Sequence, residues 1–321
     1  MKAGVASPDG VVVRDIDAPK LKPADILVKV KAIALNRADL GAARGDTTHG
    51  AAVGKAIGSE FSGEVVEVGA EAQDFKIGDR VMCHSPGSHA EYAVSDYGRA
   101  MKVPDGMGFE QAATLMIGLD TLHNALVTAG RLKAGESVLV QGASSGVGLI
   151  GLQVAKLMGA KFVVGSSTNE ARRARLKEFG ADLAVDTRDA GWPDQVLKAT
   201  GGNGVNLAVD LLSGPTVSQT LQAMALRGRI VNIGRLAGMK AEFDFDTHAR
   251  KRIDYIGVTF RTRTLDEARE VMARMRADLW EDVKAGRIRI PIDKTYPLAE
   301  ARAGHEHMRA NKHFGKILLI P

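Results

Sequence analysis

The seven residues from Gly142 to Gly148, GASSGVG, sit between an apolar run, SVLVQ, and a segment that keeps one apolar face through Leu149, Leu152, Val154, Ala155 and Met158. A strand that turns through small residues into a helix is built to hold a phosphate. The unpaired N–H groups and positive dipole end at the helix start favour an anion, and small side chains let the backbone approach it. Ser144, Ser145, Gly146 and Val147 are therefore expected to meet the pyrophosphate of a dinucleotide. The turn departs from G-x-G-x-x-G, with Ala143 and Ser145 in place of the first two glycines. Its meaning thus rests on the strand before it and the helix after it, and an ordinary glycine-rich connection is the alternative.

The next apolar run, KFVVGSS, ends in Ser166 and Ser167, where a sheet that selects the ribose 2′-hydroxyl usually carries a carboxylate. Ser167 joins the cofactor set. No carboxylate guards the 2′ position, and Arg172, a few residues on, carries a planar guanidinium of the shape that suits a phosphate, which is compatible with NADPH. The competing arrangement is a solvated helix face in which Arg172, Arg173 and Arg175 pair with Glu170 and Glu178. Other chemistry is excluded by residue type and spacing. A single cysteine, Cys83, allows neither an intramolecular disulfide nor a four-cysteine zinc site. His305 and His307 are two apart on an expected helix, so their side chains diverge. Cys83 and His84 are neighbours on an expected strand and point to opposite faces. The sequence carries no catalytic triad signature, no P-loop and no metal site.

The elements that must position these residues follow from the patterning. A chain of 321 residues, 45% hydrophobic and 25% charged, is long enough for two cores. Up to about Ile117 it reads as short alternating strands with Gly and Asp punctuation, a largely antiparallel domain. MGFEQAATLMIGLDTLHNALVTA, residues 107 to 129, reads as helix, and strands then alternate with helices in βαβ spacing. Strands are expected at 137–141, 161–166, 183–186, 205–211, 228–233 and 253–260, enough for a doubly wound parallel sheet. Ile233 and Gly234 end the fifth, and Thr259 lies at the end of the sixth, at the carboxyl edge where cofactors sit. A long charged helix and a strand-rich tail ending KILLIP complete the chain. MKAGVASPDG contains no apolar run of the kind a signal peptide needs, so none is expected there; the uncharged stretch 137–155 is broken by glycines and polar side chains, so core rather than membrane is expected. The net charge of +5 is dispersed; an anionic cofactor accounts for it.

Several segments together resemble the medium-chain dehydrogenase/reductase superfamily, in its zinc-free quinone oxidoreductase branch: ALNRADLGAARG (34–45), IGSEFSGEVVEVGAEAQDFKIGDRV (57–81), GSHAEYAV (87–94), LKAGESVLVQGASSGVG (132–148) and IDKTYPLAEARAGHEHMRANKHFGKILL (292–319). The tail looks most like that of the p53-inducible quinone oxidoreductase-like proteins. The resemblance implies an α/β architecture with a GroES-like catalytic domain formed by residues 1–117, completed by a return segment 262–321, around a Rossmann domain 118–261. At the positions where zinc alcohol dehydrogenases of the superfamily hold their catalytic metal, this chain has Asn36, Ser59 and Ile117, a poor set for zinc. The resemblance places the Asn36 amide at the nicotinamide and substrate cleft, Thr121 with its hydroxyl near the cofactor, and Asn311 and Lys316 in a cofactor-contacting tail. Arg172 falls where relatives carry a Lys or Arg at the 2′-phosphate. Asp39 is expected either to orient the Asn36 loop through backbone N–H groups or to cap a helix. Many relatives have a tyrosine in the loop that here spans 45–58; this chain has none, and His49 or Lys55 could supply polarity instead.

The activity so implied is NADPH-dependent hydride transfer to a quinone. Saturation of the C=C bond of an enone, enal or enoyl thioester would use the same parts, because without a Lewis acid a delocalised oxyanion is easier to form than an alkoxide. The implied partners are a small quinone or conjugated carbonyl and a second copy of the chain, in a reducing cytoplasm. A different class, an RNA-associated protein with little turnover, rests on the basic stretch ARKRIDYIGVTFRTRT, residues 249–264; its Tyr255 and Phe260 are expected to pack internally, which argues against it.

Overall fold

The computed structural model describes residues 1–47 and 54–321. The chain forms two compact units, one made of Met1–Ile117 with Arg261–Pro321 and the other of Gly118–Phe260.

The first unit opens with a hairpin, β1 (Lys2–Ser7) and β2 (Gly10–Asp15), paired antiparallel. Its main sheet is built from β3 (Asp25–Ala34), β4 (Glu60–Val68), β5 (Arg80–His84), β6 (Tyr92–Asp96) and β7 (Ala100–Lys102). In β3 the residues Ile26, Val28 and Val30 are buried while Lys29 is exposed, the period of two that puts one face against a core. Toward the strand's end Ala32, Ile33 and Ala34 are all buried, because both faces are covered there. A short helix, α1 (Asp39–Ala42), follows β3, and α2 (Phe109–Ala113) packs on the sheet.

The return segment joins the same sheet. A helix of 20 residues, here α9 (Leu265–Lys284), starts with a capping box in which Thr264 Oγ1 accepts the Glu267 N–H at 3.2 Å and Glu267 Oε2 accepts the Thr264 N–H at 2.7 Å. Arg269 of this helix grips the Asp96 carboxylate with two N–H groups, at 3.0 and 2.7 Å. Then come β14 (Ile292–Pro297), α10 (Ala301–Arg309) and β15 (Lys316–Ile320). The tail is therefore not all strand: ARAGHEHMR forms a helix whose Ala301, Gly304, His305 and Met308 face inward. β15 runs antiparallel to β3, with Leu318 opposite Ala34, and β4 flanks β3 on the other side, with Phe61 opposite Ile33. Carried to the strand ends, that register brings Lys316, Asn36 and Glu60 together.

The second unit starts within the segment expected as one helix. That segment is broken: α2 ends at Ala113, α3 spans Met116–His123, and Asn124–Ala129 is π-helical. The break falls at Thr114, whose hydroxyl donates to the Gln111 carbonyl at 2.7 Å, a local bond that competes with helix continuation. Beyond it lie β8 (Ser137–Gln141), α4 (Gly146–Leu157), β9 (Phe162–Ser166), α5 (Glu170–Arg175), β10 (Leu183–Val185), α6 (Trp192–Ala199), β11 (Val205–Asp210), α7 (Val217–Ala223), β12 (Met224–Asn232), α8 (Phe245–Lys251) and β13 (Asp254–Gly257). The sheet is all parallel in the order β10-β9-β8-β11-β12-β13, the doubly wound arrangement with its switch point between β8 and β11. β12 begins four residues before the expected 228, and β13 is shorter than 253–260 at both ends. Tyr255 does not pack internally: it lies on the edge strand and is 39% exposed. Among the described residues no helix is long and apolar enough to cross a membrane.

Candidate functional site

In the second unit the turn after β8 is held by its own side chains. Ser145 caps α4: its hydroxyl accepts the Gly148 N–H at 3.1 Å and donates to the Gly142 carbonyl at 2.9 Å. The Gly146 and Val147 N–H groups take no acceptor from the described residues, which leaves them at the positive end of the helix for an anion. Gly148 is required by packing, since a Cβ there would lie 2.5 Å from the Gly142 oxygen and 2.7 Å from the Ala143 Cα. The geometry fits a dinucleotide pyrophosphate, with Ser145 acting through the turn's shape.

The neighbouring strand end is polar and uncharged. Ser166 Oγ accepts the Gly142 N–H at 2.9 Å and donates to Gln141 at 2.5 Å, and the Ser167 hydroxyl reaches that of Ser144 at 2.9 Å. The helix that follows is capped by Asn169, which accepts the Arg172 N–H at 3.0 Å. Of the arginines, Arg175 does pair with Glu178. Arg173 does not join that face: it bonds the Ser167 carbonyl and Asp186 Oδ2, each at 2.9 Å. Asp186, at the end of β10, is also forked by Arg188, and hydrogen bonding from Arg188 brings its carboxyl down to about 2. The acid that follows β10 is thus engaged by two arginines.

The other expected residues of this unit fall as follows. Ile233 and Gly234 both donate their N–H to the Asp210 carbonyl, at 2.9 and 3.1 Å, and a Cβ on Gly234 would meet the Leu211 oxygen at 2.4 Å. Thr259 lies two residues beyond β13. Thr121, half-buried on α3, donates to Asp120 Oδ1 at 3.1 Å. In the basic stretch 249–264, Lys251 Nζ caps the carbonyls of Leu221, Gln222 and Met224, and Arg250 pairs with Asp246, so these two cations are committed to the fold.

In the first unit the three strand ends meet in a buried polar cluster. Lys316 Nζ donates to Asn36 Oδ1 at 2.7 Å and to Glu60 Oε2 at 2.6 Å. The Asn36 amide donates to Glu60 Oε2 at 3.0 Å and to the Ala34 carbonyl at 3.2 Å. Glu60 Oε1 accepts the Ile117 N–H at 2.8 Å. Both amide protons of Asn36 are therefore turned onto the protein, and they are not offered as a donor pair to a ligand. Asp39 Oδ2 accepts the Asn36 N–H at 2.7 Å, while the Asn36 carbonyl accepts the Asp39 N–H at 2.9 Å, a reciprocal turn; the N-cap of α1 is Ala38, not Asp39. Burial pushes the Asp39 carboxyl up, but the adjoining His89 imidazole and the Asn36 N–H outweigh it and leave it below the ordinary carboxylate value. Asn311 accepts from Arg37 Nη2 at 3.0 Å. Lys55 is exposed, and His49 lies outside the described residues.

Sequence reasoning missed Glu60 as the hub of this cluster, and it assigned Lys316 to a tail contact. A signal existed: a lysine heading the run KILLI and a glutamate heading EFSGEVV are charged residues at the buried ends of apolar strands, and such charges are buried only in pairs.

With both units described, a chain that carries an open parallel sheet of the nucleotide-binding kind and a strand-rich unit closed by its own C-terminal segment has the make-up of a two-unit dehydrogenase. Two families match: the alcohol dehydrogenase GroES-like domain over residues 22–105 and zinc-binding dehydrogenase over residues 146–277. The chain is 30% identical over 309 residues to the quinone oxidoreductase of Homo sapiens, covering 95% of this chain and 92% of that one. It is 31% identical over 308 residues to a reducing polyketide synthase of Hypomyces subiculosus, covering 94% of this chain and 13% of that protein. A mycobacterial protein solved in complex with NADPH superposes over 100% of both chains with a TM-score of 0.87 and 27% identity. The chain belongs to the medium-chain dehydrogenase/reductase superfamily, in its quinone oxidoreductase branch.

Proposed function

We propose that the protein is an NADPH-dependent, zinc-independent oxidoreductase that reduces quinones. The observation that carries the reading is the paired construction of the second unit: a Ser145-capped turn with free N–H groups, beside a strand that ends in Ser166 and Ser167 where a 2′-hydroxyl reader would place an acid. NADPH, when bound, supplies a hydride. Gly146 and Val147 hold the pyrophosphate, Ser144 and Ser167 line the adenosine ribose, and Arg172 meets the 2′-phosphate. Likeness to the human quinone oxidoreductase and to the NADPH-bound mycobacterial protein supports both cofactor and substrate class.

Zinc independence is supported by the side chains themselves. Where relatives use zinc, Glu60 and Asn36 already coordinate the Lys316 ammonium, and Ile117 offers only its backbone N–H, to Glu60. The tethered cation takes the role of local positive charge and keeps Asn36 and Glu60 in one arrangement. In this reading the enzyme is a cytoplasmic homodimer, and the edge strand β13, which among the described residues pairs with β12 alone and carries exposed Tyr255, is the surface that favours it. A second reading, reduction of a conjugated C=C bond, draws support from the likeness to a segment of a reducing polyketide synthase. Oxidation of NADPH against 1,4-benzoquinone, a 9,10-quinone, cyclohexenone and an aliphatic enal, with NADH as control, separates them. Turnover confined to enones or enals would replace the quinone assignment, and NADPH binding without any turnover would remove both.

A further inference from the structure

Ser88, His89 and His305 bring into the first unit five polar atoms that find no hydrogen-bond partner among the described residues: the Ser88 hydroxyl and both ring nitrogens of each imidazole. Ser88 and His89 are fully buried and His305 is 2% exposed. His89 lies between β5 and β6, with its backbone pinned at both ends: its carbonyl accepts the Gly4 N–H at 2.6 Å and its N–H donates to Ile57 at 2.8 Å. His305 comes from α10, and the two rings meet edge to face at 5.3 Å between centroids. Asp39 Oδ2 stands 3.6 Å from His89 Nε2, too far for a direct hydrogen bond. That same oxygen accepts the Asn36 N–H. Gly58 closes over the group; a Cβ there would lie 2.2 Å from His89 Cδ2 and 2.4 Å from Ser88 Oγ.

A buried donor or acceptor left unmatched costs about 1–3 kcal/mol, so five in one place would be a large fraction of a domain's net stability. A metal is not the answer, because no group of three His, Cys, Asp or Glu among the described residues is arranged to hold one. We propose that Ser88, His89 and His305 bind internal water, that one molecule bridges His89 Nε2 to Asp39, and that His89 is thereby a positioning residue for the Asn36 turn. The inference rests on the reading of the Asn36, Glu60 and Lys316 cluster as part of the reductase machinery. Two atoms 3.6 Å apart lie within the span of a water making two bonds of about 2.8 Å. A neutral imidazole has one donor and one acceptor, and a hydroxyl adds one donor and two lone pairs, which suits water with about three partners. Burial and the neighbouring His89 hold the His305 imidazole down to about 4, so it is neutral near neutral pH and its lone pair is available.

The test compares His89→Gln, which keeps a nitrogen near the Nε2 position, with His89→Leu, which keeps none. Expected is a fall in kcat of about tenfold for His89→Leu with KM for NADPH unchanged, and near-recovery in His89→Gln. The Asn36 backbone amide resonance should move in the leucine variant only, and a crystal structure of the native protein should show water within bonding distance of His89 Nε2 and Asp39. Equal behaviour of the two variants, or a direct His89–Asp39 bond with no water, would overturn the proposal. Should no acceptor be turned over, the reductase reading fails by itself, while the amide resonance and the crystal structure still decide the water site.

Discussion

The ammonium of Lys316 lies 2.6 Å from Glu60 Oε2, both side chains buried, and the two residues are 256 apart in sequence. This ion pair fastens the last strand of the chain to the fourth. Removing one partner leaves the other as an uncompensated buried charge, which typically costs about 3–5 kcal/mol. Lys316→Met should therefore lower the thermal midpoint sharply, and adding Glu60→Gln to it should restore part of the loss. A double-mutant cycle by chemical denaturation checks this; additive effects of the two changes would mean that the pair is not coupled.

Treatment with a strong chelator should leave turnover unchanged, because the charge beside Asn36 is that of Lys316. Loss of activity on exhaustive dialysis against EDTA, recovered by added zinc, would contradict the zinc-independent reading.

The cofactor turn is the place where one methyl group should matter most. In Gly148→Ala the new Cβ meets backbone at 2.5 and 2.7 Å, which no rotamer change relieves. A destabilisation of about 1–3 kcal/mol is expected, together with weaker NADPH binding by fluorescence titration. Native-like affinity in this variant would show that the turn does not contact the cofactor.

Cofactor choice should respond to Arg172. A hydrogen bond to a charged group contributes about 1.5–3 kcal/mol, so Arg172→Ala should weaken NADPH by roughly 10- to 100-fold and leave NADH unchanged. If both cofactors weaken alike, Arg172 supports the helix and does not read the 2′-phosphate.

Acid should destabilise the first unit through His305. The unfolded chain binds a proton near the ordinary imidazole value of about 6.5, whereas the folded one binds it only near about 4. Between those values the unfolded state holds more protons, so stability falls as pH drops from about 6.5 to about 4 and levels off below. The interval corresponds to roughly 3 kcal/mol. Asp39, held below its ordinary value, adds a further loss in stronger acid, as it too becomes protonated. Denaturation midpoints of native protein and His305→Leu across this range provide the check; parallel pH curves would remove His305 as the cause.

What the sequence determined by itself was local. The strand, turn and helix around GASSGVG, the alternation of strands and helices after residue 130, and the missing acid after KFVVG are all properties of adjacent residues, and each predicts its element through periodicity or backbone requirements. The family resemblance added the return of the tail to the first domain. Tertiary structure decided the polar clusters. Asn36, Glu60 and Lys316 are distant in sequence and become neighbours only because β3 lies between β4 and β15 in one register; a slip of one residue would turn each side chain to the other face. For the same reason His305 looked like half of an unusable pair with His307, although its partner is His89, on another segment. Arg173 and Asp186 likewise join α5 to the end of β10. Pairing partners across a sheet are fixed by packing and register, which no local pattern encodes.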